Sequence, residues 1–311
     1  MRMTRLFTGF LTGFVSVITA GAALAQESVQ GLERIGKPGP GATGFQTAGT
    51  DLARDGQWLD QMVLYIIVAI TIFVTLLLIW VAIRYNQRAN KTAARFTHHT
   101  TIEIIWTIVP ILILIVIGSF SLPILYKQLE IPDSDLTVKV TGNQWYWTYE
   151  YPESGVIFDS VMIGQNEPGL TDEVIAELAS YGYTPDEYLL AADTALVVPV
   201  GATVRVQVAA SDVNHGFAVP AFGIKMDGIV GRLNETWFRV GADEDDIAAG
   251  TDSNENYIGV YFGQCSELCG INHAYMPIVV KAVSQEDYDA WLLGAIEKYA
   301  GVPASTQVVS N

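Results

Sequence analysis

Two long uncharged runs constrain the architecture of this 311-residue chain more than any other feature. Residues 62–83 and residues 104–126 contain no charged side chain. As helices rising about 1.5 Å per residue, both would cross the roughly 30 Å hydrocarbon core of a bilayer. A hairpin buried in a soluble protein is the alternative, but two such runs around a basic loop are typical of membrane proteins. We therefore predict a transmembrane helical hairpin over residues 58–127.

The connection between the two runs predicts their orientation. It has no acid before Glu103, and its basic residues are Arg84, Arg88, Lys91 and Arg95. Positively charged loops remain cytoplasmic, so both mature termini should lie on the outer side of the membrane. Residues 1–25 agree, because Arg2 and Arg5 precede a short apolar run that ends in an Ala-Leu-Ala cleavage site. This pattern predicts a secretory signal peptide, with an uncleaved anchor as the alternative.

The rest of the chain divides into a short arm and an acidic outer domain. The arm, residues 26–57, is rich in Gly and Pro and is expected to be loose. The outer domain, residues 128–311, carries 27 acids against 7 bases, whereas the whole chain has a formal charge of −16. Such a surface argues against a nucleic-acid partner. It favours either a basic protein partner or simple solubility.

The outer domain is predicted to be mostly β-structure. Apolar and polar residues alternate with period two over residues 136–141 and 203–208. Further β-rich runs occupy residues 196–200, 258–262 and 277–283. Short strands without alternating helices predict a sandwich or barrel. Two segments are predicted to be helical instead: an insertion over residues 171–190 and a C-terminal helix that starts at Ser284.

The strongest chemical signal is a twelve-residue segment near the C-terminus. The only two cysteines of the chain, Cys265 and Cys269, are followed by His273 and Met276, and His215 lies upstream after a predicted strand. Thiolate, imidazole and thioether ligands select copper or zinc over hard ions. A mononuclear blue-copper site uses one cysteine, so the second favours two copper ions bridged by both thiolates. A disulfide would leave the histidine and methionine unexplained, and a structural zinc site would not need methionine.

On this segment, the aromatic run over residues 142–151 and the helical hairpin, the chain resembles cytochrome c oxidase subunit II of the bacterial aa3 type. The resemblance covers nearly all of the mature chain. It implies a cupredoxin-like β-barrel with a C-terminal helix and a binuclear copper A centre. The implied copper ligands are the side chains of His215, Cys265, Cys269, His273 and Met276 and the backbone carbonyl of Glu267. The Glu267 carboxylate is implied to bind a Mg²⁺ shared with subunit I, since hard ions prefer oxygen ligands.

The sequence departs from the family pattern at three places. Gly216-Phe217 stands where the family commonly has Ser-Trp, and Val230 replaces a usual proline. Residues 241–256, with four consecutive acids, form an acidic insertion. None of these departures removes a proposed ligand.

The aromatic run has two interpretations. Trp145, Trp147, Tyr149 and Tyr151 would share one face of a strand, and most are expected in the core. The resemblance implies that Trp145, with Tyr146 beside it, is instead the exposed ring through which an electron arrives from cytochrome c.

Five acidic residues have implied roles. The resemblance places the docking of cytochrome c on Glu150, Asp159, Asp193 and Asp212. Glu103 is either a carboxylate favoured at a helix N-terminus or the mouth of a proton channel into subunit I, and the two roles are compatible.

The implied function is electron transfer in a proton-pumping respiratory oxidase of the bacterial inner membrane. The chain would assemble with subunit I, which holds haem a, haem a3 and copper B, and with subunit III. No residue of this chain is expected to catalyse oxygen reduction. A membrane-anchored copper chaperone is the principal alternative. A quinol oxidase subunit would lack the copper ligands, and a nitric oxide reductase subunit is less compatible with the two spans.

Overall fold

The computed structural model describes residues 28–92 and 94–300, which form two compact units. Residues 54–130 make one unit. The described residues up to Ala53 and from Ile131 onward make the other, which we call the outer unit. The predicted signal peptide, residues 1–25, lies outside the described residues.

Two helices are long and apolar enough to cross a membrane, α1 (Asp51–Arg84) and α2 (Thr100–Leu129), and all but the first three residues of α1 lie in the first unit. Both extend beyond the predicted spans at each end. No residue of α2 is buried, so an apolar surface is left for lipid to cover. The helices contact each other through Trp58 and Phe120, whose ring centroids lie 5.5 Å apart.

Helix α2 begins with a reciprocal cap. The Glu103 carboxylate accepts a hydrogen bond from the backbone N–H of His99 at 3.1 Å. The His99 ring nitrogen accepts one from the N–H of Ile102 at 3.4 Å. Glu103 therefore satisfies a backbone donor at the start of the helix, as one of its two predicted roles requires.

The outer unit is a β-sandwich of two five-stranded sheets. The first contains β1 (Leu136–Asn143), β2 (Tyr146–Tyr151), β3 (Val156–Ser160), β5 (Thr203–Ala210) and β8 (Asn234–Arg239) in the order β3-β2-β1-β5-β8. The second contains β4 (Leu196–Pro199), β6 (His215–Val219), β7 (Ile224–Gly228), β9 (Gly259–Cys265) and β10 (Pro277–Val283) in the order β4-β10-β9-β6-β7. The predicted fold, two apolar helices followed by an all-β domain, is confirmed.

Strand burial follows the alternation of the sequence. In β5 every second side chain is buried, because period-two strands place alternate residues on the core face. In β2 the buried residues are Trp147, Tyr149 and Tyr151, each at most 1% exposed. Trp145 does not continue this face as predicted, since it precedes the strand and is half-buried.

The predicted helical insertion is shorter than its pattern suggested. Helix α3 (Asp172–Ser180) buries Val174 and Leu178, and only a 3-10 turn at Pro185–Glu187 follows it. The helix ends early because Gly182 adopts a left-handed φ of 83° and Pro185 cannot continue a helix. The helix packs in a second, smaller core, which also includes Ile163 before the insertion, Val29 of the arm and residues of β9 and β10.

The N-terminal arm is packed against the outer unit, so the prediction of a loose segment is wrong. Val29 is fully buried, and its N–H donates to the carbonyl of Tyr181 at 2.9 Å. Arg34 pairs with Glu187 at 3.1 Å. Farther on, Gly36 forms a bridge with Tyr261 of β9, and a Cβ there would lie 2.6 Å from the tyrosine ring. Glycine thus allows the arm to lie flat on the sheet.

Two further helices complete the outer unit. Helix α4 (Glu244–Ala249) forms the acidic insertion and is capped by Asp243, whose side chain accepts from a backbone N–H. Helix α5 (Gln285–Ala295) starts at Ser284 as predicted, and its Tyr288 and Trp291 are buried.

Candidate metal centre

The predicted ligands meet at one end of the second sheet. His215 is the first residue of β6 and Cys265 is the last of β9, two strands that are paired. The chain then turns through Cys269 and His273 and re-enters the sheet directly after Met276, where β10 begins. We call residues 265–276 the metal loop.

The donor atoms of four side chains, three from the metal loop and His215 from β6, lie close together. The two thiol sulfurs lie 3.8 Å apart. Cys265 Sγ is 3.9 Å from His215 Nδ1, and Cys269 Sγ is 3.6 Å from His273 Nδ1. The Glu267 carbonyl oxygen lies 3.3 Å from Cys265 Sγ, and the Met276 side chain is buried in the same core. Each thiol therefore faces one imidazole.

The His215 ring is fixed by close packing. A Cβ at Gly142 on β1 would lie 2.7 Å from the ring, so any side chain there would displace the imidazole. The Trp147 ring, whose residue is paired with Gly142 across the two strands, contacts His215 edge-on, with 5.9 Å between centroids. Glycine on one strand and tryptophan on the next thus form the slot that holds this ligand.

Asp212 orients His215 through its second nitrogen. Its Oδ1 lies 3.0 Å from His215 Nε2, and its Oδ2 accepts from the N–H of Gln144 at 2.7 Å. Burial alone would raise the pKa of Asp212, but the hydrogen bonds from His215 and two backbone N–H groups hold it below its ordinary value. A carboxylate on the outer nitrogen of a ligating histidine fixes the ring orientation. From the sequence, Asp212 was predicted only as a docking residue.

The two thiols differ in acidity. Burial alone would raise the pKa of Cys265, but hydrogen bonding by His215 and the backbone outweighs burial and lowers it. Burial and the neighbouring Cys265 raise the pKa of Cys269. A nearby metal ion favours the thiolate at both residues.

The donor set fits soft or borderline metal ions. A disulfide has a sulfur–sulfur bond of about 2.05 Å, whereas these thiols are free and 3.8 Å apart. The ligand atoms of His215, Cys265 and Cys269 all lie within 4.8 Å of one another. Two thiols, two imidazoles and a buried thioether match the preferences of copper.

Trp145 lies against the metal loop. Its indole Nε1 donates to the carbonyl of Cys269 at 3.1 Å, and Gln144 Nε2 donates to the same oxygen at 3.0 Å. A Cβ at Gly270 would lie 3.1 Å from the indole ring. Tyr146, the other predicted residue of this region, is half-buried at the start of β2.

The predicted docking acids have partners of their own. Glu150 pairs with Lys139 at 2.9 Å, and Asp159 accepts from the Thr148 hydroxyl at 2.6 Å. Asp193 accepts from the N–H of Val161 at 2.9 Å. Glu103, by contrast, belongs to the helical unit, so it is not part of this site.

Comparison with known proteins identifies the family of the chain. The model for the periplasmic domain of cytochrome c oxidase subunit II matches residues 136–283, and the model for its transmembrane domain matches residues 38–124. The chain is 50% identical to cytochrome c oxidase subunit 2 of Cereibacter sphaeroides, over 100% of this chain and 99% of that protein. The chain belongs to the cytochrome c oxidase subunit II family.

Two further comparisons agree in sequence. A probable cytochrome c oxidase subunit 2 of Rickettsia bellii is 44% identical, over 82% of this chain and 85% of that protein. The crystal structure of the periplasmic domain of subunit II (CoxB) of Bradyrhizobium japonicum is 40% identical, over 55% of this chain and 99% of that one, with a TM-score of 0.42.

Membership establishes the broad function. As a cytochrome c oxidase subunit II, the chain is a membrane-anchored, copper-binding electron-transfer subunit with a cupredoxin-like domain. It is part of an enzyme complex, a haem–copper terminal oxidase, and assembles with the other oxidase subunits.

Proposed function

We propose that the metal loop and His215 hold a binuclear copper A centre. When bound, the copper pair supplies a one-electron carrier that accepts an electron from cytochrome c and passes it to haem a of subunit I. The observation that supports this most directly is the pairing of each thiol with its own imidazole, at 3.9 Å and 3.6 Å. The pairing offers similar donors to each of two ions, whereas a mononuclear blue-copper site would leave one cysteine unused.

The chain's residues divide the work of holding the centre. Cys265 and Cys269 would supply thiolates to both ions, His215 and His273 would supply an imidazole each, and Met276 and the Glu267 carbonyl would be weaker ligands. Asp212 keeps the His215 ring oriented through the 3.0 Å contact with Nε2. The surrounding core buries His215, both cysteines and Met276, whereas His273 is half-buried.

The Glu267 side chain is proposed to bind a metal ion other than copper. It is exposed, although its carbonyl faces Cys265. A carboxylate on the rim of the metal loop can bind a Mg²⁺ shared with subunit I, as oxygen ligands suit this ion.

Trp145 and Tyr146 are proposed as the residues through which the electron arrives. Trp145 is half-buried and is bonded to Cys269, one of the proposed bridging ligands. An aromatic ring at the surface that is hydrogen-bonded to a metal ligand offers a short path from a docked haem.

Cytochrome c is the proposed donor, attracted by the acidic outer domain. Glu150, Asp159, Asp193 and Asp212 form the proposed docking set, because acidic surfaces accelerate association with basic partners. Electrons then serve oxygen reduction and proton pumping in subunit I, which binds beside subunit III. Glu103 is proposed to serve a proton channel in addition to its capping bond.

The proposed location is the bacterial inner membrane. Residues 62–83 and 104–126 span it, the signal peptide of residues 1–25 is removed, and the periplasm holds both the arm of residues 26–57 and residues 128–311. The arm and the sandwich belong to one compact unit, so they require the same side of the membrane. Two spans between them satisfy this requirement.

Metal stoichiometry tests the copper proposal. The full chain, purified in detergent and loaded with copper, should hold two ions per chain and show a mixed-valence spectrum with one unpaired electron shared by both. Cys269→Ser should lose this spectrum. One copper per chain, or zinc retained in preference to copper, would contradict the proposal. Copper transfer to an acceptor protein would favour the chaperone alternative instead.

A further inference from the structure

Gln165 hydrogen-bonds two backbone carbonyls from different parts of the metal centre. Its Nε2 lies 2.5 Å from the carbonyl oxygen of Trp145 and 2.9 Å from that of Tyr275. An amide nitrogen has two N–H groups, so each carbonyl receives one. We propose that Gln165 is a positioning residue that fixes the surface ring and the methionine end of the metal loop relative to each other. This inference rests on the proposed function, which assigns Trp145 and Met276 their roles.

The hydrogen bond to the Tyr275 carbonyl fixes the position of Met276. The Tyr275 carbonyl belongs to the peptide group that joins Tyr275 to Met276, and Gln165 holds this group on one side. On the other side, the Met276 carbonyl accepts from the N–H of Cys265 at 3.1 Å. The backbone of Met276 is therefore held on both flanks, and its buried side chain has little freedom to move.

The hydrogen bond to the Trp145 carbonyl fixes the position of Trp145 itself. This residue precedes β2, so its backbone position depends on bonds made outside that strand. Gln165 holds the carbonyl, while Cys269 accepts from the indole nitrogen. Trp145 is consequently held at its side chain by the metal loop and at its backbone by Gln165.

Gln165 stands on a rigid support. Its own N–H donates to the carbonyl of Met162 at 3.2 Å, and the N–H of neighbouring Ile163 donates to Ala191 at 3.1 Å. Ile163 is 2% exposed within the second, smaller core. A Cβ at Gly164 would lie 2.8 Å from Val174 of α3, so the turn is packed directly on the helix. The turn that carries Gln165 is therefore held in place by the insertion that follows it.

The electron-transfer properties should be sensitive to this clamp. The potential of a copper site with a weak axial thioether depends on that ligand, and outer-shell partners of metal ligands affect affinity or activity by about 10–100-fold. Without the amide, the Trp145 and Tyr275 carbonyls would each lose a hydrogen-bond donor. Met276 and Trp145 would then both be less restrained.

The test uses the complete oxidase with Gln165→Met, which has a similar volume but no N–H donor. Gln207→Met is the matched control, because the Gln207 amide bonds a carboxylate on the neighbouring strand, Glu235, at 2.9 Å. We expect Gln165→Met to retain its copper, to shift the copper hyperfine pattern and midpoint potential, and to slow electron transfer from bound cytochrome c about tenfold. Gln207→Met should match the wild type in all three measurements.

Wild-type hyperfine pattern, potential and rate in copper-loaded Gln165→Met would overturn the inference. If that variant fails to fold, Gln165→Asn replaces it, because the shorter amide keeps its donors but cannot reach both carbonyls. A folded Gln165→Asn oxidase with wild-type potential and rate overturns the inference equally. If the wild-type oxidase itself lacks a copper pair, the proposed function fails instead, so the two failures are distinguishable.

Discussion

The indole nitrogen of Trp145 donates a hydrogen bond to the carbonyl oxygen of Cys269, 3.1 Å away. A half-buried ring next to the domain surface is thus bonded to the backbone of a proposed metal ligand. The same oxygen accepts from Gln144, so the contact belongs to a local network rather than to one isolated pair.

Trp145→Phe removes this hydrogen bond while keeping an aromatic ring. We expect nearly unchanged affinity for cytochrome c but slower electron transfer within the bound complex. Flash-initiated reduction of bound cytochrome c measures the rate directly. Trp291→Phe, a buried substitution in α5, is the control and should leave the rate unchanged. An unchanged rate in folded, copper-loaded Trp145→Phe oxidase would falsify the role of this ring.

Asp212→Asn should have two effects, because the carboxylate bonds His215 as well as adding to the acidic surface. Copper affinity should fall by about 10–100-fold, as for other outer-shell partners of ligating histidines. Association with cytochrome c should also slow, with a weaker salt dependence. Glu150→Gln is the comparison, since Glu150 contacts Lys139 and not a ligand; it should change association alone. Equal copper affinities in the two variants would refute the orienting role.

Gly142→Ala tests the slot around His215. The added Cβ would lie 2.7 Å from the imidazole ring, so either the ring or β1 must shift. We expect weaker copper binding and a loss of about 1–3 kcal/mol in stability, as is typical of overpacked cores. Gly44→Ala, where the added Cβ meets no atom within 4 Å, should change neither. Titration with copper and denaturant unfolding measure the two effects.

The Arg34–Glu187 pair predicts a dependence of stability on pH. Burial alone would raise the pKa of Glu187, but hydrogen bonds from the Thr184 N–H and Arg34 outweigh it and lower the pKa below its ordinary value. Its stabilising contribution is therefore present above the unfolded pKa of about 4.3 and is lost as the pH falls through the folded pKa. Below pH 5, the thermal midpoint should fall more steeply in the wild type than in Glu187→Gln. Parallel curves would contradict this.

Membrane orientation can be tested with two single cysteines. Asn90→Cys, in the basic connection, should react with an impermeant thiol reagent only from the cytoplasmic side. Asp245→Cys, exposed in α4, should react only from the opposite side. Copper-loaded protein lacking either substitution provides the background. The reverse pattern would rule out the proposed topology.

Local patterns predicted the elements that depend on local chemistry. The alternation over residues 203–208 corresponds to β5, and Ser284 caps α5 through the N–H of Asp287. The sequence also brought together the candidates for the metal ligands, because four of them lie within twelve residues and carry an unusual combination of donors. His215 was proposed from its position after a strand and the scarcity of histidines in the chain.

Features that depend on distant partners were not predictable. The arm was expected to be loose because nothing near Gly36 indicates that Tyr261 lies beneath it. The clamp by Gln165 involves a carbonyl 110 positions away, and a lone glutamine carries no signal. The pairing of Asp212 with His215 could have been found, since a carboxylate three residues before a candidate ligand is a recognisable spacing.

The contacts of the arm also determine when folding of the outer unit can be completed. Ser28 bonds Tyr181 and Lys281, which follow it by 153 and 253 positions. Because synthesis runs from the N-terminus, the arm leaves the ribosome long before either partner exists. The outer unit therefore cannot complete its fold until β10 has been synthesised. A polypeptide stalled before that strand would leave Ser28 without its Lys281 partner and the second sheet without the strand that pairs with both β4 and β9.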